Sequence, residues 1–343
     1  MQRRLNSANW SIFVGLVLIA IAAGVFLRFA ASSSGLVVVR NALLAETAVR
    51  SEFEWTPNRI PEDFRLYHGA VPDELNPAIV QILGAVTGAD NFDKALAIAG
   101  HLRESRGDGE GIHADTVTAY LAIRNQHTGY CADFTQVFTG LAYGARVPVR
   151  EWAISWRDWG KGHSFNEIFE PRLDKWILID SFNSLYMVDA ATHTPLSTLE
   201  VYDRLRRAGD PQIEVVPIVK RNYQFSSAQE ALDYYREGVN ELSLWWGNDV
   251  FSLDENPLPK FAGKISRLLE PIASVLMGER PPLKLLVNRR NSSDSKQLAN
   301  VRLQFFLAVG AMSLGFFLAI AGLVMRKRSH DQAMRSRRQV GAL

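Results

Sequence analysis

Residues 129–151 read GYCADFTQVFTGLAYGARVPVRE. Apolar side chains fall at Phe134, Val137, Phe138, Leu141 and Ala142, the i, i+3, i+4, i+7, i+8 stripe of a helix with one buried face. Gly144 stands where a helix-ending glycine belongs. The chain's single cysteine, Cys131, therefore falls in the first turn of this helix. There the unpaired backbone N–H groups and the positive end of the helix dipole favour a thiolate over a thiol. One cysteine cannot close an internal disulfide, so Cys131 is either a buried filler or a working thiol.

Downstream, Ser164–Phe169 and Trp176–Ile179 read as strands joined by a short polar turn at Pro171 and Arg172. A hairpin symmetric about the Pro171–Arg172 bond sets Phe165 opposite Leu178, and His163 opposite Asp180. Opposed residues share a face, with Cβ atoms about 4.5–5.5 Å apart, and a one-residue slip would separate them. A cysteine at a helix start, with an imidazole and a carboxylate facing each other on a hairpin, is the set that nucleophilic acyl chemistry needs. His163 would take the thiol proton and return it to the leaving group; Asp180 would orient the ring and stabilise its charged form. The thiolate would attack a carbonyl carbon and form a thioester. The oxyanion of that step needs donors besides the Cys131 N–H, and Gln126 and Tyr130 are the nearest upstream; ending the preceding helix is the other reading of Gln126.

Four blocks in this order carry a family resemblance: Gly129-Tyr130-Cys131-Ala132-Asp133-Phe134, Ala145-Arg146-Val147-Pro148-Val149-Arg150, Gly162-His163-Ser164-Phe165-Asn166-Glu167, and Trp176-Ile177-Leu178-Ile179-Asp180. Over about Thr116–Asn183 the chain resembles the transglutaminase-like superfamily. The resemblance implies an α+β fold with a papain-like core, a cysteine helix packed on an antiparallel sheet. It also implies Cys131 as nucleophile, His163 as base and Asp180 as orienting acid. Two positions depart from the family pattern: Asn166 replaces an apolar residue, and Ser181 stands where a proline often follows the aspartate.

Outside this region, two apolar runs can each span a bilayer. Trp10–Leu27 is flanked by Arg3, Arg4 and Arg28, and Leu303–Met325 carries no charge. Arg326, Lys327, Arg328, Arg335, Arg337 and Arg338 place the C-terminus in the cytoplasm. With two spans the N-terminus lies there too, and the segment between them is extracytoplasmic, in a bacterium the periplasm. Cleavage of the first run as a signal peptide, after the small residues Ala30 to Ser34, is the alternative. The reading divides the chain into a cytoplasmic N-terminus (1–9), a span (10–28), a stalk and edge segment (29–75), the catalytic domain (76–190), a mostly helical extension (191–300), a second span (303–325) and a basic tail (326–343).

Smaller features follow the same logic. Val37–Arg40 reads as a strand, Asn76–Val86, Phe92–Glu104, Thr116–Asn125, Ser197–Ala208 and Ser227–Trp246 as helices, and Ile213–Val219 as a strand. Asp115 reads as an N-cap, and Ser227 with Glu230 as a capping box. Ser105–Gly111 is an exposed loop whose Arg-Gly-Asp triplet carries little specificity, and an apolar helix among prolines is read after Asn256. For Trp245 and Trp246 core packing outweighs a membrane-interface or sugar-binding role. A net charge of +2 gives no pull toward nucleic acid. His68, His101, His113 and His193 have no zinc spacing, and no phosphate-binding glycine loop is present, so no metal or cofactor is expected. His127 shares the loop of Cys131 but has no acid on an opposing strand.

The expectation is a thiol enzyme of the cell envelope acting on a peptide or protein. Water as acceptor makes it a protease or amidase, and an amine makes it a transglutaminase. The reading from another class is a non-catalytic factor of envelope or polysaccharide assembly that uses the same cleft.

Overall fold

The computed structural model describes residues 2–86, 88–104, 111–112, 114–156, 159–251, 275, 278 and 280–340. The Arg-Gly-Asp triplet and nearly all of the apolar helix read after Asn256 lie outside them. The chain divides into a globular unit, Leu43–Lys296, and a helical unit, Met1–Ala42 with Gln297–Leu343.

In the helical unit, α1 (Gln2–Ala30) and α2 (Ser33–Leu44) come from the start of the chain. Val37–Arg40 is therefore helix and not strand: a β-branched run is only a weak prior for a strand, and here helical neighbours on both sides override it. From the end comes a helix of 49 residues, Ser292–Val340, which takes the label α9 below. Two segments, Asn6–Ala30 and Ser292–Gln332, are long and apolar enough to cross a membrane. They pack through small residues. A Cβ on Gly15 would stand 2.5 Å from the Gly315 carbonyl oxygen, and one on Gly322 would stand 2.7 Å from that of Ala8. Backbones this close are the usual basis of helix pairing in lipid, where no hydrophobic gain is available.

The globular unit is built on an eight-stranded mixed sheet in the order β1-β8-β7-β2-β3-β4-β5-β6. Its strands are β1 (Ala45–Ala48), β2 (Val149–Ser155), β3 (Gly162–Glu170), β4 (Lys175–Asp180), β5 (Leu185–Asp189), β6 (Ile213–Pro217), β7 (Glu241–Trp245) and β8 (Leu283–Leu286). Only β1 and β8 run parallel; the other neighbours are antiparallel. Helices cover both faces, which is why β3 and β4 are buried almost throughout instead of on alternate residues. On one face α3 (Asn76–Ala85), α4 (Asn91–Arg103), α5 (Thr116–Gln126) and α6 (Cys131–Gly144) pack on Val149, Ile168, Ile177 and Ile179. On the other, α7 (Thr198–Leu205) and α8 (Ala228–Gly238) pack on Trp152, Ile154, Phe165, Leu178 and Met187.

Three expectations change. The segment read as a stalk supplies Phe53 and Phe64 to the core, and Phe53 sits edge-on to Trp246 at 6.3 Å. The segment read as a helical extension contributes β6, β7 and β8, so one sheet runs across the boundary drawn at residue 190. Within it the helix read to Trp246 ends at Gly238, and β7 begins at Glu241 and buries Leu242 and Leu244. Trp246 is buried in the core.

The hairpin register also differs. Glu167 pairs with Leu178 and Asn166 with Ile179, so Asp180 continues the ladder opposite Phe165, two residues short of His163. The cause is the turn: Pro171–Asp174 is a four-residue loop with Asp174 left-handed (φ 47°), which moves the hairpin centre one residue along. The slip is even, so His163 and Asp180 still point to the same face.

Candidate functional site

Cys131 opens α6, and the approach to it is tightly specified. Gly129 has φ +121°, a conformation for which a side chain is unsuited, and an added Cβ would lie 3.2 Å from Ile112 Cδ1 and 3.3 Å from Ile123 Cγ1. Tyr130 is extended (φ −104°, ψ 177°), and its N–H donates to Asp133 Oδ2 at 2.8 Å. The same carboxylate oxygen accepts from the Ile112 N–H at 3.1 Å, tying the loop before α5 to the first turn of α6. Gly129→Ala is expected to cost about 1–3 kcal/mol, read from denaturant unfolding, and to slow alkylation of Cys131.

The helix is then fixed to the sheet by polar contacts as well as by Phe134 and Phe138. Asn166, fully buried on β3, donates through Nδ2 to Thr139 Oγ1 at 3.0 Å and to the Thr135 carbonyl at 3.4 Å. Here lies the physical reason for a polar residue at this position: it sets the height of α6 on β3, and so of Cys131.

His163 is 2% exposed and Asp180 0%, while Cys131 is half-buried. His163 Nε2 hydrogen-bonds Asp180 Oδ2. Asn183 Nδ2 lies 3.1 Å from the same Nε2, and the Cys131 thiol is near enough to the imidazole to interact with it. The three residues expected to meet do so. Asp180 is cradled by more donors than the sequence reading named. Its Oδ1 accepts the Asn183 N–H at 2.8 Å, and its Oδ2 accepts Asn183 Nδ2–H at 2.9 Å and the Tyr235 hydroxyl from α8. Phe165, Phe182, Tyr234 and Tyr235 wall the imidazole, with ring centroids 5.5–6.1 Å from it.

Burial by itself pushes the His163 imidazolium toward losing its proton. The Asp180 charge and hydrogen bond outweigh that, with a smaller contribution from Cys131, and raise its pKa from 6.5 to about 10. Burial pushes the Asp180 carboxyl up, but the His163 charge and hydrogen bond, then the Asn183 and Tyr235 donors, hold it below its ordinary value. The sign for stability follows. A group whose pKa is higher in the folded chain stabilises the fold fully below its unfolded value, and that contribution is lost as pH rises through the folded value. Unfolding free energy should therefore decline between about pH 6.5 and 10, measured by denaturant titration at a series of pH values.

The two oxyanion candidates stand differently. Gln126 is the last residue of α5, exposed, followed by His127 in the left-handed region (φ 56°). Tyr130 is 51% exposed, and its backbone N–H is already taken by Asp133. His127, the alternative base, is exposed. Among the described residues no group of three or more His, Cys, Asp or Glu could hold a metal ion.

Asn183, Tyr234 and Tyr235 were not singled out from sequence. Asn183 had a local signal, since an aspartate followed three residues later by a polar residue forms an Asx-type turn. The tyrosines had none, because α8 reaches the site only through the tertiary fold. Comparison of the chain with protein-family models, with curated proteins and with solved structures returned no match.

Proposed function

We propose that this chain is a membrane-anchored, extracytoplasmic thiol enzyme with a transglutaminase-like, papain-like core, which forms an acyl-enzyme on Cys131 and passes the acyl group to water. One observation carries the reading: the His163 ring hydrogen-bonds the buried Asp180 carboxylate and interacts with the Cys131 thiol. A buried histidine kept charged by an acid, with a half-buried thiol as its second partner, has little use as packing.

The residues perform the reaction as follows. The charged His163 is the ring that already holds the Cys131 proton, and the thiolate so formed attacks the carbonyl carbon of a peptide or side-chain amide. A C–S bond forms as the carbonyl π pair moves onto oxygen. The N–H groups at the start of α6 face that developing charge, with the Gln126 carboxamide as the candidate side-chain donor. The intermediate collapses, the C–N bond breaks and the imidazolium protonates the departing amine. Neutral His163 then takes a proton from water, hydroxide adds to the thioester, and the C–S bond breaks to release a carboxylic acid and the Cys131 thiolate, which shares the proton held by His163 as at the start. Asp180 holds the ring and its charge throughout. It needs no proton of its own.

The basic residues Arg326–Arg328 after the apolar run Leu303–Met325, and Arg3 and Arg4 before the run Trp10–Leu27, support cytoplasmic termini and an extracytoplasmic globular unit. Both parts of the proposal meet in one experiment. Intact cells are treated with a membrane-impermeant thiol reagent and, separately, with a thiol-directed acyl probe, and the modified residue is identified by mass. Labelling of Cys131 by both, absent in Cys131→Ala, is the expected result. Labelling by the impermeant reagent only after lysis would overturn the orientation. Failure of the acyl probe on a reagent-accessible Cys131 would overturn the enzyme.

A further inference from the structure

Tyr235 reaches the cluster from α8, outside the hairpin and the cysteine helix. It is 2% exposed on α8, a helix begun by Ser227, whose Oγ accepts the Glu230 N–H at 3.1 Å. The height of α8 on the sheet is set by Gly238, where a Cβ would lie 3.2 Å from Ile154, the β2 residue paired with His163. Ala231, Leu232, Tyr235 and Gly238 form its buried face, so the phenol is delivered to Asp180 by packing and not by a loop. Its hydroxyl ends on Oδ2, the same oxygen that receives His163 Nε2–H.

We propose that Tyr235 is a positioning residue of the triad: by donating to Asp180 Oδ2 it takes up part of the carboxylate charge and limits how firmly the His163 imidazolium is held. The inference rests on the acyl-enzyme reading above. It follows from the chemistry of a general acid, which must hold a proton long enough to direct it and yield it to the leaving amine on time. An aspartate facing histidine alone in a dry site would hold the imidazolium too tightly. Further donors on the same oxygen, the Asn183 amide and the Tyr235 hydroxyl, weaken that grip. Burial and the adjacent Asp180 charge keep the Tyr235 phenol well above its ordinary pKa, so it stays a donor across the working range. The titratable groups around His163 are Cys131 from α6, Asp180 from β4, and Tyr235 with Tyr234 from α8, while β2 presents the apolar Ile154 and Glu237 acts only on Tyr234.

The test is the pH profile of Cys131 alkylation by iodoacetate, in short pulses, on the full-length chain in detergent. An anionic reagent reads the thiolate–imidazolium pair, so the rate falls on the alkaline side as His163 loses its proton. Tyr235→Phe removes one oxygen and keeps the ring; its alkaline limb should move up by about one pH unit, the size expected for a lost hydrogen bond to a charged group. A ring-fluorinated tyrosine at position 235 donates more strongly, and its limb should move down. Opposite shifts support the proposal. An unmoved limb in the fluorinated chain overturns it, even where Tyr235→Phe fails to fold, as does an unmoved limb in a folded Tyr235→Phe. A His163→Ala chain that kept the full wild-type profile would instead sink the triad reading beneath it.

Discussion

His163→Ala in the full-length chain is expected to slow acylation of Cys131 by about 10²–10⁴-fold, the range a positioned general base contributes. Two losses combine. The thiol no longer has a proton acceptor within hydrogen-bond reach, and no imidazolium stands beside the sulfur to favour its charged form. The rate is read by intact-protein mass after exposure to an activated acyl donor. Because the substitution also strips buried Asp180 of its charged partner, unfolding is measured in parallel; the remaining donors from Asn183 and Tyr235 keep the carboxylate hydrogen-bonded. Cys131→Ser provides the comparison, since it removes the sulfur with little change of shape. Equal acylation of the His163→Ala chain and the unmodified one would mean that Cys131 reacts as an ordinary surface thiol.

The largest stability effect is expected four residues further along β3, on the same face as His163. Glu167, fully buried, receives Arg150 Nε at 2.8 Å, Trp152 Nε1 at 2.6 Å and the Thr198 backbone N–H at 2.6 Å. Arg150 is buried as well, donates to the Phe53 carbonyl at 2.8 Å, and lies over the Trp176 ring at 4.1 Å from its centroid. Truncating one member of a buried ion pair leaves the other charged and unpaired, at a cost of about 3–5 kcal/mol. Glu167→Ala should fall in that range by denaturant unfolding, since it also strands the indole N–H and the first N–H of α7. Adding Arg150→Leu should recover part of the loss, because the unpaired charge goes while the two stranded N–H groups remain. A change below about 1 kcal/mol for the single substitution would show that water reaches the pair.

The α6 segment was legible because its signal is local. A 3.6-residue apolar period over Phe134–Ala142 describes a helix wherever it packs, and the helix runs Cys131–Gly144; Gly144 is its last helical residue, packed on Ile79, and the left-handed position is Arg146 (φ 58°). The hairpin strands were legible for the same reason, and their register was not. A period of two cannot tell one even slip from another, and the four-residue turn at Pro171–Asp174 decided the matter through Asp174, a residue that tolerates the left-handed region and so lengthened the loop beyond the Pro171–Arg172 pair. The His163–Asp180 pairing survived because the error was even and the imidazole reaches along the strand. Val37–Arg40 and the end of α8 misled by composition: three valines suggest a strand, and Leu242-Ser243-Leu244 continues a helical stripe as well as it begins an alternating one. Tyr235 shows the harder limit. Its role exists only once α8 lies on β2, and nothing within several residues of it in the chain records that contact.

The pairing of β1 with β8 has a mechanical consequence. These strands are the first and last of the sheet-forming segments, and they run parallel, Ala45 beside Leu283 and Ala48 beside Leu286. Chain enters β1 at its beginning and leaves β8 at its end, so a pull on the two tethers drags the strands past one another lengthwise. That geometry loads the inter-strand bonds together in shear, where an antiparallel pair joined at one end would unzip them one by one. Under the membrane-anchored reading proposed above, a body held at both ends is thereby clasped where its chain enters and leaves the sheet.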